Sequence, residues 1–223
     1  MTFFDRYSQI SIGKLITART TDELVENLKE TEYYAPLKKI KDTDNVTLYD
    51  YNLALDLYYY TSTWKEQKKI LKKSDLELFM RDRGSKIDLL NIQWIYRAKK
   101  YYNMKPADIY LMLIPIHYKL STELVKDMVE APGVEEFENV VIRTTYARHY
   151  NFKQNLTMEQ MYADCLHHLY TADRRKNPYS VSAINTYLFL KEEELKKLTT
   201  VMECVRYGLN PGETAAYIGG RTR

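Results

Sequence analysis

The chain has 223 residues, 45% of them hydrophobic, 28% charged and 13% aromatic, and its 33 basic and 30 acidic side chains give a formal net charge of +3. That length can bury a sizeable core without disulfides or metal, and a mean hydropathy of −0.50 excludes an integral membrane protein. Seven Gly and six Pro are too few for collagen, low-complexity sequence or a turn-rich β-sandwich.

Helix start signals recur along the chain. Thr20, Thr47, Ser74, Ser121 and Thr157 each place a hydroxyl at an N-cap, and Glu23, Glu77 and Gln160 complete capping boxes three residues on. Apolar residues then follow a period near 3.6: Leu24 and Leu28; Leu48, Tyr51, Leu55 and Tyr58; Leu124, Val125, Met128 and Val129; Met158, Met161, Cys165 and Leu169. Pro36, Pro106, Pro115, Pro132, Pro178 and Pro211 fall between the segments as punctuation. A last long helix is expected from about Ser180 to Tyr207, with Gly208 as its C′ residue. No strand alternation stands out, so the expected fold is all-α with nine or ten helices.

The chain also resembles itself. A shift of 113 residues pairs Leu24 with Phe137, Leu28 with Val141, Thr31 with Thr144 and Tyr33 with Tyr146. A shift of 110 pairs Thr47-Leu48 with Thr157-Met158 and Tyr60-Thr61 with Tyr170-Thr171. Two copies of one helical lobe are expected, residues 1–105 and 106–223.

The opening Met1-Thr-Phe-Phe-Asp-Arg6 does not read as a signal peptide. The apolar run Ile109–Ile116 falls far short of the roughly 20 residues that span a bilayer. Cys165 and Cys204 are too few for a disulfide framework, so a reducing, cytoplasmic setting is expected.

Chemistry-bearing motifs are scarce. No glycine-rich phosphate loop, HExxH, paired CxxC or GxSxG occurs. Asp164 with His168, or Cys165 with His168, can share a helix face, but a zinc site needs three or four ligands, and no second cluster supplies the remainder. Residues 65–105 carry 12 basic and 5 acidic side chains, and Lys65–Lys73 is the densest run, just after Tyr58-Tyr-Tyr60 and Trp64. Such a segment suits an acidic partner, nucleic acid or anionic lipid. Basic residues beside aromatics support a second reading of the chain, as a helical nucleic-acid-binding module.

Polar residues interrupt two apolar helices. Asp88, Asn91 and Gln93 sit among Ile, Leu and Trp in residues 87–97, and Arg97 two turns on is the expected partner of the carboxylate. The last helix holds a counterpart in Lys191, Glu192, Glu193 and Glu194. Either an interhelical hydrogen-bond network or a partner contact would explain them.

These segments carry a family resemblance. Asp88-x-x-Asn91 with Arg97, Leu113-Ile114-Pro115, Thr144-x-Tyr146, Asn177-Pro178-x-Ser180, Tyr187, Lys191-Glu192-x-Glu194 and Tyr207-Gly208-Leu209 occur in that order. Together they resemble the central-stalk connector of V-type and A-type rotary ATPases, known as the C subunit in bacteria and archaea and the d subunit in eukaryotes. The resemblance implies a non-catalytic, funnel-shaped helical protein of three related lobes, each with three main helices. Its base would sit on the cytoplasmic face of the membrane rotor ring, and its socket would receive the central shaft, transmitting torque for proton or sodium transport. It implies no cofactor and no nucleic-acid partner. Asp88, Asn91, Arg97, Lys191, Glu192 and Glu194 match the family's polar motifs and are expected to line or support the socket. Two lobes stand here against the family's three; the N-terminal lobe, with its Tyr- and Arg-rich opening helix, is the part without a counterpart. An exposed lobe face should then promote self-association.

Overall fold

The computed structural model describes residues 10–43, 46–147, 158–176 and 179–218, with backbone only for 173–176. Eleven helices and no strand occur among these residues: α1 (Ile12–Ile16), α2 (Thr21–Asn27), α3 (Tyr34–Lys41), α4 (Leu48–Ile70), α5 (Lys73–Lys100), α6 (Pro106–Met112), α7 (Thr122–Glu130), α8 (Val134–Ile142), α9 (Met158–Lys176), α10 (Val181–Arg206) and α11 (Pro211–Tyr217). The all-α expectation is met, with more helices than the nine or ten read from the sequence.

The start signals act locally as capping chemistry requires at Thr20 and Ser121, but not at Thr47 or Ser74. Thr20 accepts the Glu23 N–H at 3.2 Å and Ser121 the Leu124 N–H at 3.2 Å. Thr47 instead donates its hydroxyl and its N–H to Asp50, at 2.6 and 2.8 Å. Ser74 caps nothing, because α5 begins before it: Lys72 is the N-cap and Ser74 lies inside the first turn. Thr157 lies outside the described residues. A further capping box pairs Asn210 with Glu213 at the start of α11, where Pro211 holds the first helical position. At the end of α10, Gly208 has φ +72, with Gly208 N–H donating to Val205 O and Leu209 N–H to Cys204 O, both at 3.0 Å. That is a Schellman closure, and a side chain at Gly208 would strain it.

Helices α7, α8, α9 and α10 begin 110, 113, 110 and 108 residues after α1, α2, α4 and α5. Thr31 and Thr144 each donate to the carbonyl three residues back, Leu28 and Val141, at 2.7 Å in both cases.

Packing divides the chain at another point: one compact unit ends at Lys65 and a second begins at Glu66. In the first, Val25, Leu28 and Leu37 are buried, with Leu15, Leu24, Tyr51 and Leu55 packed on them. In the second, α5 is the central element. It packs against α6, α7, α8, α9 and α10, and its Ile92, Ile95 and Tyr96 join Met128, Phe137, Val141, Met161 and Phe189 in one core. Lys99 reaches from α5 to the last carbonyls of α7, donating to Val129 O at 2.7 Å and Ala131 O at 2.6 Å. A cation there complements the negative end of the helix dipole.

Candidate functional site

Two long helices of the second unit carry the residues singled out by the sequence. On α5, Gly84, Asp88 and Asn91 are spaced four and three apart and therefore share one stripe. The segment Leu113–Leu120, which is not helical, lies against that stripe. Its backbone donors and acceptors have no ladder to join and must find other partners if buried.

Asp88 and Asn91, both fully buried, supply those partners. One Asp88 carboxylate oxygen, Oδ1, accepts the Tyr118 N–H at 3.0 Å. The other, Oδ2, accepts the N–H groups of Lys119 (2.7 Å) and Leu120 (3.2 Å) and the Tyr146 hydroxyl (2.7 Å). Asn91 pairs with Ile114 in both directions: Nδ2–H donates to Ile114 O, and Ile114 N–H donates to Oδ1, each at 3.0 Å. Gly84 completes the stripe by its lack of a side chain, since a Cβ there would lie 2.5 Å from Tyr118 Cγ. Three motifs that are separate in the sequence, Asp88-x-x-Asn91, Leu113-Ile114-Pro115 and Thr144-x-Tyr146, thus meet in one hydrogen-bonded unit. Burial, the adjacent Asp88 carboxylate and its hydrogen bond push the Tyr146 phenol above its ordinary range, so it stays a donor.

Arg97 is not part of this unit. Nine residues from Asp88 is two and a half turns, which puts Arg97 about 13 Å along α5 and on its opposite side. It instead approaches Glu159 of α9, Nε to Oε1 at 3.6 Å, with both side chains more than a third exposed. The sequence expectation of an Asp88–Arg97 pair is therefore corrected. The partners of the buried carboxylate are backbone N–H groups and a tyrosine.

Of the Asp164–Cys165–His168 group, Cys165 lies closest to this region, with its Sγ 3.7 Å from Tyr146 O. Burial, aided by Asp164, pushes its thiol up to about 11. Asp164 and His168 are exposed. No three His, Cys, Asp or Glu converge among the described residues.

Helix α10 presents the opposite pattern. Its inner face buries Ser182, Thr186, Phe189 and Cys204. Thr186 donates to Tyr170 O and Ser182 O, both at 2.8 Å, and Phe189 stacks on Tyr170 at 4.6 Å. On the outer face Ile184, Leu188, Leu195, Leu198, Met202 and Val205 are each more than half exposed. With Lys191 between Leu188 and Leu195, the positions run 184, 188, 191, 195, 198, 202 and 205, alternating steps of four and three. That is the 3.5-residue period of a seam that packs against another helix. Lys191 pairs with Glu194 at 2.7 Å beside the seam, and Glu192 is exposed next to it. The seam was not singled out in the sequence, although its spacing could be counted there. An open cleft lined by Ser74, Glu77, Met80, Arg81 and Tyr118 lies elsewhere in the unit and assembles no catalytic constellation.

The family model described as "ATP synthase (C/AC39) subunit" matches residues 2–217. The chain belongs to that family. Its members are accessory components of ATP synthases, not catalytic ones. Among curated relatives, the C subunit of the A-type ATP synthase of Methanosarcina mazei is 31% identical over 140 residues, 63% of this chain and 37% of the relative. Its counterpart in Methanosarcina barkeri is 25% identical over 210 residues, 92% of this chain and 56% of the relative. That of Methanobrevibacter smithii is 26% identical over 205 residues, 87% and 53% of the two chains. No solved structure matches. The chain spans about half the length of the curated C/AC39 relatives that it matches over most of its own length. No described helix is long and apolar enough to cross a membrane.

Proposed function

We propose that the chain acts as a non-catalytic connector in a V/A-type rotary ATPase, built from lobes 1–105 and 106–223 and carrying torque between the central shaft and the membrane rotor ring on the cytoplasmic side. The observation that carries this reading is the outer face of α10. An apolar row at 3.5-residue spacing suits a helical partner, and the shaft of such a machine would supply one. Lys191, Glu192 and Glu194 sit in or beside that row, where they would set register and partner choice more than affinity. Asp88 and Asn91 are wholly buried, so their part is support: they hold the Ile114–Leu120 segment on α5 and touch no partner. Arg97, on the far side of α5, ties that helix to α9.

The test is binding of the full chain to purified shaft proteins and to the rotor ring. Association with both, and no ATP hydrolysis by the chain alone, is the expected result. Absence of binding to either would overturn the reading. Exposure of the α10 row also supports concentration-dependent self-association, which the shaft proteins should suppress by competing for the same face.

A further inference from the structure

The corner between α4 and α5 carries four lysines within six residues, flanked by Glu66 on α4 and by Asp75 in the first turn of α5. Lys68 and Lys69 lie in the last turn of α4, Lys72 is the N-cap of α5 and Lys73 its first residue, and all four are exposed. Lys69 meets Glu66 at 3.4 Å in a solvent-exposed pair, while Lys68, Lys72 and Lys73 have no ion pair among the described residues. At the centre of the lysines stands Ile70, 72% exposed. The placement of Lys72 and Lys73 runs against local stability. Cations at the start of a 28-residue helix face the positive end of its dipole, and no side chain caps that end. Like charges crowded over six residues repel one another unless something anionic neutralises them.

From this corner we propose a further contact: a docking surface for the anionic face of a lipid bilayer, with the four lysines on headgroup phosphates and Ile70 entering the acyl boundary. Charge complementarity selects the partner class, since clustered lysines are drawn to anionic headgroups within a Debye length. The aliphatic tip distinguishes a bilayer from nucleic acid. Lysine stems lie along an apolar interface while their ammonium groups stay in water. Single-stranded nucleic acid would call for stacking platforms and favours arginine. No arginine occurs in residues 65–80. Trp64 is half-buried, Tyr58 is engaged with Glu32 and Tyr33, and Tyr59 and Tyr60 pack edge-on against each other. This contact does not depend on the shaft-binding face, which lies on α10.

Flotation of the full chain with vesicles tests it. The chain should rise with phosphatidylcholine vesicles containing about 30% phosphatidylglycerol and stay behind with phosphatidylcholine alone. Replacing Lys68, Lys69, Lys72 and Lys73 together by Gln should weaken partitioning at least about 30-fold, and raising salt to about 0.5 M should weaken it severalfold. Ile70→Asn should cost several-fold with the charge intact. Because all five side chains are exposed, Ile70→Asn should melt like the parent and the four-Gln variant at or slightly above it, and a melt confirms that lost flotation is not lost folding. Equal flotation with neutral vesicles, no flotation at all, or full flotation of the four-Gln variant would overturn the proposal. So would binding to a single-stranded oligonucleotide that outcompetes the anionic vesicles.

Discussion

Helices α5 and α10 are nearly the same length, 28 and 26 residues, and both mix polar and apolar side chains, yet they resolve that mixture in opposite ways. On α5 the polar residues are inside: Asp88 and Asn91 are fully buried and spend every hydrogen bond on their own chain. On α10 the apolar residues are outside: six large side chains at coiled-coil spacing remain more than half exposed. A buried polar group with all its partners present describes an intramolecular latch. An exposed apolar row with none describes a surface made for something else. The two helices therefore differ in whether their anomalous residues are satisfied within the unit or left exposed on its surface.

Mutations should break this division unequally. Asp88→Ala should be the most damaging, because it removes at once the acceptor of the Tyr118, Lys119 and Leu120 N–H groups and of the Tyr146 hydroxyl. A loss of about 4 kcal/mol is expected. Thermal unfolding should then shift down by roughly 8–16 °C. Asn91→Leu keeps the volume but strands the N–H and C=O of Ile114, for a cost of about 2–3 kcal/mol in a denaturant titration. Gly84→Ala drives a methyl into the Tyr118 ring. Despite a gain in helix propensity, a net loss of roughly 1–2 kcal/mol is expected. Combining it with Tyr118→Ala should be far less than additive if that contact is the cause.

Tyr146→Phe removes one of the four donors to Asp88 and should cost about 1 kcal/mol at neutral pH. Its sharper signature is alkaline. The phenol titrates higher in the folded than in the unfolded chain, so the native state holds its proton longer. The stability this contributes is complete below the ordinary tyrosine value of 10.0 and declines as pH rises above it. Stability curves from pH 8 upward should therefore fall less steeply in Tyr146→Phe than in the parent. At the far end of the scale, Leu195→Asp with Leu198→Asp on α10 should leave the melting temperature within about 2 °C of the parent, since both positions are exposed.

Much of this was legible in the sequence. The helix starts at Thr20 and Ser121 and the Gly208 stop follow from local chemistry that short stretches encode. The anomaly at Asp88 and Asn91 was visible too, because a carboxylate and an amide among Ile and Leu must be satisfied somewhere. Their partners were not visible, since backbone N–H groups carry no residue identity to search for. Charge favours Arg97 as the partner of Asp88, but helical phase places it half a revolution away. The Ser74 hydroxyl suits a cap, but the chain enters the helix two residues earlier, at Lys72. The α10 row was countable, but a 3.5-residue period reads the same whether it is buried or exposed. Only the folded unit shows which face Phe189 and Thr186 take, and hence which face is left over.

The most direct test compares shaft binding by the full chain with that by the Leu195→Asp, Leu198→Asp variant, alongside thermal melts of both. A loss of at least about tenfold in affinity, with an unchanged melting temperature, is the result expected if α10 is the partner face. Undiminished binding by the variant would contradict that assignment and the division of labour between the two helices.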